Sequence, residues 1–205
     1  MSLRRSYTVI APLYDTLLAA AGTGLRAASL GQLPQQGELD ILISGIGTGL
    51  DLPHLPPEHR YTGLDLTAAM LDRVKPRTGN LSLNLVRGDS MSLPFADASF
   101  DHVVLHLILA IVPDARACLR ETARVLRPGG SVLILDKFLK PGETAWFRRM
   151  LNLVSQHIVT RLDVVFEEVL AAAPELGMAR DEPVLAGGWF RSIRLVKGDR
   201  QVEWK

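Results

Sequence analysis

Three glycines at alternate positions, Gly45, Gly47 and Gly49, directly follow the apolar run "ILIS" at residues 41–44. Glycine adopts backbone conformations that other residues avoid, and it lets the main chain come close to a ligand. In an open parallel sheet, a loop at the carboxyl end of a strand is where a nucleotide-like ligand binds. The stretch therefore indicates a binding loop more than a plain turn.

The residues around these glycines narrow the kind of ligand. A dinucleotide fingerprint has its third glycine where this chain has Leu50, and a phosphate-binding P-loop needs a lysine, which is missing from residues 41–74. A nicotinamide-dependent oxidoreductase is thus disfavoured, although it stays an alternative.

Two acids follow the next two apolar runs. Asp65 ends "RYTGLD", and Asp89 comes directly after "LSLNLVRG". A carboxylate at the first position can accept hydrogen bonds from both hydroxyls of a ribose, and one at the second can accept a hydrogen bond from an adenine amino group. Either acid could instead belong to ordinary turn chemistry. Together with the glycines, and without a cation for phosphate, they favour a nucleoside cofactor.

The elements that carry these residues alternate between strand-like and helical patterns, which predicts an α/β fold. We expect a doubly wound, mostly parallel seven-stranded sheet with a C-terminal antiparallel hairpin, in one domain over residues 1–205. Thr67 is the expected N-cap of a helix over 67–75, and Pro128, Gly129 and Gly130 are expected to close another over 115–127. Strands are predicted at 39–44, 60–66, 81–89, 100–109, 131–138, 178–186 and 190–198.

Helices are also expected within residues 1–38, at 145–159 and around 163–177. We assign 1–38 to a lid, 39–138 to a cofactor-binding core, and 139–205 to substrate-side helices and the hairpin. The amphipathic helix at 145–159 carries Trp146, Phe147, Arg148 and Arg149. It could contact a lipid, although a lid or dimer surface is the alternative.

Composition limits the partners and the compartment. With 23 basic and 22 acidic residues, the net charge of +1 offers no broad field for nucleic acid, and we expect none as a partner. No uncharged apolar stretch of about 18 residues occurs, so membrane contact is at most peripheral. Cys118, the single cysteine, cannot form an internal disulfide, which favours a cytoplasmic setting. The oligomeric state stays open.

Four segments in order resemble the motifs of class I S-adenosylmethionine-dependent methyltransferases. They are "ILISGIGTGL", "YTGLDLTAAML", "RGDSMSLPFADASFDHVVLH" and "ARVLRPGGSVLILDKF", and they span residues 39–138. The chain looks most like the branch with phospholipid N-methyltransferases and quinone-biosynthesis C-methyltransferases. This resemblance implies a Rossmann-like methyltransferase fold, S-adenosyl-L-methionine as cofactor, and a small-molecule or lipid substrate.

The resemblance also implies roles for individual residues. Gly45, Gly47 and Gly49 would line the methionine and ribose of the cofactor, and Asp65 would hold the ribose hydroxyls. Leu66 would pack on the adenine, Asp89, Ser90 and Met91 would frame it, and His106 would lie beneath the methionine. "YTVIAPLYD" resembles a lid segment, in which Tyr7 and Tyr14 would close over the site.

One position departs from the family pattern. The family usually has Asp or Glu two residues before the first glycine, where the acid helps to hold the cofactor's ammonium group, but this chain has Ile43. Isoleucine cannot accept a hydrogen bond, and the adjacent Ser44 points to the other face of a strand. Either backbone carbonyls and other polar groups bind the ammonium, or cofactor binding is weaker than usual. The missing acid also permits a catalytically degenerate domain that binds cofactor weakly and serves as a scaffold.

Candidates for a catalytic base are few. His106 lies near the end of the fourth predicted strand, and Asp136 and Lys137 lie near the end of the fifth. We take His106 and Asp136 as the candidate bases. His102 and His106 are four residues apart, which on a strand separates them by some 13 Å, so they predict no shared metal ion.

Overall fold

The fold is described from a computed structural model, which covers residues 22–139, 164–185 and 190–198. Residues 22–30 form helix α1. The other helices are α2 (Ala68–Val74), α3 (Ala115–Val125) and α4 (Phe166–Leu170), and short 3-10 turns occur at Leu52–His54 and Lys75–Arg77. The strands are β1 (Asp40–Ser44), β2 (Arg60–Asp65), β3 (Ser82–Arg87), β4 (Phe100–His106), β5 (Leu126–Lys137), β6 (Leu176–Leu185) and β7 (Phe190–Lys197).

These strands form one seven-stranded sheet in the order β3-β2-β1-β4-β5-β7-β6. The first five strands are parallel, and β7 pairs antiparallel with both β5 and β6. The predicted mostly parallel sheet with a terminal antiparallel pair is confirmed. The strand order reverses between β1 and β4, and in such sheets the crevice at this switch point binds ligands.

Buried apolar side chains cover both faces of the sheet, which is the doubly wound arrangement. One cluster includes Leu42 and Ile134 of the sheet and packs against α3 and α4. The other includes Ile41 and Ile43 and packs against α1 and α2. Successive strand residues alternate between these two faces, so that the central strands β1 and β4 are buried along most of their length.

The ends of two elements differ from the prediction. Helix α3 ends at Val125, and Pro128, Gly129 and Gly130 belong to β5, because Leu126 already has an extended backbone and pairs with Phe100. Strand β4 ends at His106 instead of continuing to residue 109. The next residue, Leu107, has a φ of 57°, a left-handed conformation that breaks a strand.

Helix α4 is also shorter than the helix predicted around 163–177: it ends at Leu170, and β6 begins at Leu176. The hairpin turn at Gly187 and Gly188 and the amphipathic helix predicted at 145–159 lie outside the described residues. Within the described ranges, no helix has the length and apolar character needed to cross a membrane.

Candidate functional site

The glycine loop after β1 adopts left-handed backbone conformations at all three alternate positions. The φ angles are 77° at Gly45, 56° at Gly47 and 81° at Gly49. L-residues with a side chain are strained there, which explains why the chain has glycine at each position. The N–H groups of Gly45 and Ile46 donate to the carbonyl of Leu64 at 2.8 and 2.9 Å, so the loop is fixed to β2.

Gly47 differs from the other two glycines in what surrounds it. A Cβ atom on Gly45 would lie 2.7 Å from Ile108, and one on Gly49 would lie 3.0 Å from Leu52. Among the residues that the structure describes, a Cβ on Gly47 would meet only the carbonyl oxygen of Gly45, at 4.0 Å. The middle of the loop therefore faces open space, into which a ligand can approach the backbone.

Asp65, at the carboxyl end of β2, lies against this loop. Its Oδ2 accepts a hydrogen bond from the Gly47 N–H at 3.0 Å, and its Oδ1 accepts bonds from the N–H and hydroxyl of Thr67 at 3.0 and 3.2 Å. Thr67 is the N-cap of α2 as predicted, but its hydroxyl donates to Asp65 instead of capping the helix. Leu66, between these two residues, has 57% of its surface exposed.

The segment after β3 lies at the same edge of the sheet. Asp89 Oδ1 accepts a hydrogen bond from the Met91 N–H at 2.8 Å, which makes a compact turn. Ser90 is buried, and its Oγ accepts a bond from the Ser44 hydroxyl at 2.8 Å. Since β1, β2 and β3 are parallel neighbours, their carboxyl ends bring the glycine loop, Asp65 and Asp89 together.

A buried polar cluster joins the loop to helix α1 and strand β4. Its members are Arg26, Ser29, Asp51 and His106, and we call it the Arg26–His106 cluster. Asp51 Oδ1 accepts hydrogen bonds from Arg26 Nη1 at 2.6 Å and from His106 Nδ1 at 2.8 Å. His106 Nε2 lies 3.0 Å from Ser29 Oγ. Both nitrogens of the His106 ring are thus engaged inside the protein.

Electrostatics keep Asp51 ionised although it is buried. Burial by itself would raise the pKa of this carboxyl, but the neighbouring His106 and Arg26 outweigh burial and hold the pKa well below its usual range. A buried charge needs such partners, because its desolvation would otherwise cost on the order of several kcal/mol. The cluster therefore contains a carboxylate that is ionised at neutral pH, two residues after Gly49.

Ser29, His106 and Asp51 are connected by hydrogen bonds in the same way as the serine, histidine and aspartate of a serine hydrolase triad. Ser29 has only 1% of its surface exposed, and it lies on a helix that packs on the sheet. A nucleophile must reach a substrate carbonyl, and this hydroxyl is enclosed by protein. The arrangement therefore gives no support to hydrolysis.

Asp136 lies elsewhere, beneath the loop that follows β4. It has no exposed surface, and its two oxygens accept hydrogen bonds from the backbone N–H groups of Ala110, at 3.1 Å, and Lys137, at 2.7 Å. Burial raises its pKa to about 6, against the opposing effect of these N–H donors. Burial also lowers the pKa of Lys137. Asp136 is therefore not a solvated strand end.

Ile43 lies in an apolar cluster, and His102 is held by a buried hydrogen-bond contact. Ile43 has 1% of its surface exposed within the cluster under α1 and α2, while Ser44 points to the opposite face as predicted. His102 is buried, with its Nδ1 2.8 Å from Ser131 Oγ. The described ranges contain no group of acids, histidines or cysteines able to hold a metal ion.

The sequence thus predicted the loop, Asp65, Asp89, Ser90, Met91 and His106 at one edge of the sheet, and the structure places them there. It missed Arg26, Ser29 and Asp51. Only Asp51 had a signal, as a charged residue directly after the binding loop. The predicted lid residues Tyr7 and Tyr14 lie outside the described residues.

Comparison with known proteins adds independent information. A family model described as a methyltransferase domain matches residues 40–134. A phosphatidylethanolamine N-methyltransferase from Cereibacter sphaeroides is 31% identical over 159 residues, which cover 75% of this chain and 78% of that protein. A demethylmenaquinone methyltransferase from Deinococcus radiodurans is 28% identical over 194 residues, with 89% and 80% covered.

Solved structures show a similar fold. An S-adenosylmethionine-dependent methyltransferase from Mesorhizobium loti has a TM-score of 0.66 and 18% sequence identity, and the match covers 83% of this chain and 96% of that one. At this identity the likeness concerns the fold alone, and the sequence relatives carry the evidence for descent.

Proposed function

Since the chain belongs to the S-adenosylmethionine-dependent methyltransferase family, we propose that it binds this cofactor at the glycine loop and methylates a small-molecule or lipid acceptor. The observation that carries the proposal is the open side of Gly47 directly beside Asp65. Backbone clearance and a carboxylate acceptor at one strand edge are what a nucleoside needs.

The residues at this edge fit the parts of the cofactor. Asp65 Oδ2 accepts one hydrogen bond and keeps a second lone-pair direction for a ribose hydroxyl. Oδ1 accepts from both the N–H and the hydroxyl of Thr67, and rotation of that hydroxyl would free a lone pair for the second ribose hydroxyl. The exposed side chain of Leu66 offers an apolar surface to the adenine ring, and Asp89 follows at the next strand end. Ser90 and Met91 would support Asp89, because the Met91 N–H holds its carboxylate and Ser90 is fixed to β1.

The bound cofactor would supply an electrophilic methyl group on its sulfonium. The protein then has to hold the acceptor in line with that methyl carbon and exclude water. We propose that His106 and Asp136 contribute to positioning and not to proton removal, because both are buried and bonded within the protein. Asp136 holds the loop after β4, and His106 holds helix α1 against the glycine loop.

The acceptor is proposed from the relatives. One relative is named for phosphatidylethanolamine, a lipid amine, and the other for demethylmenaquinone, a quinone. Amine and quinone acceptors differ in the atom that attacks the methyl group, so the products separate them.

Calorimetric titration of the purified chain with S-adenosylhomocysteine tests cofactor binding, and absence of binding would end the proposal. Methyl transfer from labelled cofactor is then measured on phosphatidylethanolamine vesicles and on demethylmenaquinone that has been chemically reduced to its quinol in detergent, since only the electron-rich quinol ring carbon can attack the sulfonium methyl. Turnover on either acceptor supports the enzyme and identifies its class.

A catalytically degenerate scaffold is the alternative to be tested. The chain has the buried Ile43 in place of the family acid, and a domain without this acid could bind cofactor without turnover. Cofactor binding with no transfer across a panel of amines, phenols and quinone precursors would favour a degenerate scaffold. Titration with reduced nicotinamide dinucleotide, followed by fluorescence, tests the oxidoreductase alternative.

A further inference from the structure

The Arg26–His106 cluster lies at the switch point of the sheet. Asp51 follows the glycine loop at the end of β1, and His106 is the last residue of β4, the strand next to β1. Helix α1 closes the cluster from above β1 and β4, since Arg26 and Ser29 are three residues apart on it. A charged pair is thus buried beside the proposed cofactor crevice.

Within the described residues, Arg26 and Asp51 do not use all of their hydrogen-bonding groups. Arg26 has 7% of its surface exposed, and its buried Nε has no hydrogen-bond partner within the described part of the chain. Both bonds to Asp51 go to Oδ1, and among the described residues none donates to Oδ2. A buried guanidinium N–H without an acceptor costs free energy, so an unsatisfied donor in a native site indicates a missing partner.

We propose that Arg26 and Asp51 bind the α-amino-acid end of the cofactor, Arg26 its carboxylate and Asp51 its ammonium group. Asp51 would thereby replace the acid that the family usually has at the position of Ile43. This inference rests on the proposed function, because it concerns the same cofactor.

Charge matching favours this assignment. The Arg26–Asp51 pair and a zwitterionic amino acid each have a net charge of zero. When the ligand carboxylate faces Arg26 and the ligand ammonium faces Asp51, each charge has an opposite charge as its neighbour. Opposite charges a few ångströms apart attract strongly in a buried site, and guanidinium recognises carboxylate with two parallel N–H donors. Neither ligand charge would then be buried without a partner.

Other buried acids do not meet these conditions. Asp136 is the other acid that is almost fully buried among the described residues, and both of its oxygens already accept backbone N–H groups. Residue 43 itself lies buried in the apolar cluster that includes Val104 and Leu133, where a carboxylate would be costly to bury without hydrogen-bond donors. Asp51 keeps one oxygen for a further donor.

His106 and Ser29 act as positioning residues in this scheme. The Nδ1 of His106 holds Asp51 Oδ1, and its Nε2 reaches Ser29 on the same helix as Arg26. The orientation of Asp51 is therefore set by two elements, α1 and β4, which leaves Oδ2 in a defined place.

The affinities of two ligands distinguish binding of the amino-acid end from binding of the rest of the cofactor. S-adenosylhomocysteine carries the amino acid, and methylthioadenosine lacks it but keeps the ribose and adenine. We expect Asp51→Asn and Arg26→Gln each to weaken S-adenosylhomocysteine binding at least tenfold in calorimetry, and to change methylthioadenosine binding less than twofold.

A matched control is Asp101→Asn. Asp101 also accepts from an arginine at 2.6 Å, Arg127 Nη1, but at the opposite end of β4. This variant should bind both ligands as the wild type does. Equal losses for both ligands in Asp51→Asn, or an unchanged affinity for S-adenosylhomocysteine, would overturn the inference.

A second measurement needs no variant, in case Asp51→Asn does not fold. An analogue of S-adenosylhomocysteine without the α-amino group should bind the wild type at least tenfold more weakly than the parent compound, and equal affinities would refute the role of Asp51. If the wild type binds none of these nucleosides, the proposed function fails as a whole, which is a distinguishable result.

Discussion

The carboxylate of Asp65 accepts a hydrogen bond from the backbone N–H of Gly47, with Oδ2 3.0 Å from the nitrogen. This contact joins the end of β2 to the middle of the glycine loop. The same carboxylate therefore orients the loop and is the proposed acceptor for the ribose hydroxyls, so its loss should weaken cofactor binding in two ways.

We expect Asp65→Ala to weaken S-adenosylhomocysteine binding at least tenfold, which corresponds to about 1.4 kcal/mol. Asp72→Ala is the control, because Asp72 is exposed on α2 and, among the described residues, forms an ion pair only with the exposed Lys75. Calorimetry on the two variants and the wild type measures the effect. Unchanged affinity in Asp65→Ala would remove the ribose role from this residue.

Gly47→Ala separates backbone strain from ligand clearance. Gly79 has almost the same φ, 55° against 56°, and a Cβ there would also meet open space, but it lies in the turn before β3. Alanine at either position should destabilise the fold by about 1–2 kcal/mol through left-handed strain. Only Gly47→Ala should also weaken cofactor binding, by at least tenfold, because its methyl group would enter the ligand space.

Thermal unfolding and calorimetry on this pair give both quantities. A result in which Gly47→Ala and Gly79→Ala bind the cofactor equally well would mean that the open side of the loop is not the binding surface.

Leu66→Ala tests the adenine contact. Leu66 is 57% exposed in the free protein, so its truncation should change the free energy of unfolding by less than about 0.5 kcal/mol. Cofactor affinity should fall about fivefold, because roughly 1 kcal/mol of apolar contact with the adenine is lost. Met178→Ala, which removes a 44% exposed side chain on β6, should leave affinity unchanged. A similar loss in both variants would contradict the adenine role.

The buried Asp136 predicts a pH dependence of stability. Its pKa in the folded protein is about 6, above the value of about 3.9 for an unfolded chain. The folded state therefore binds the proton more tightly. The contribution of Asp136 to the free energy of unfolding is therefore complete below about pH 4, where the carboxyl is protonated, and is lost as pH rises through about 6. The total loss is about 3 kcal/mol, from about two pKa units at about 1.4 kcal/mol each.

Denaturant unfolding of the wild type and Asp136→Asn across this range isolates the effect, because the other groups titrate alike in both proteins. The stability of the wild type should fall relative to that of the variant between about pH 4 and pH 7. Asp51, whose pKa is lowered, contributes in the opposite direction and only at lower pH. Parallel curves for the two proteins would exclude a raised pKa at Asp136.

Local pattern was sufficient for the main features of the fold. Apolar runs bounded by turn residues predict β1 to β5 and the antiparallel pair β6 and β7, because strand identity depends on neighbours within a few residues. Element ends were less accurate. The end of β4 at His106 depends on the left-handed backbone of Leu107, which no pattern of leucines and isoleucines indicates.

The sequence by itself determined the glycine loop and the acids at the strand ends, since parallel strands necessarily bring their carboxyl ends to one edge. Tertiary structure alone decided the Arg26–His106 cluster and the complete burial of Asp136. Arg26 meets Asp51 across 25 positions of the chain, and Ser29 meets His106 across 77. Such contacts depend on how helix α1 docks on the sheet, and docking is set by the shape of the packed core, which leaves no periodic trace in the sequence.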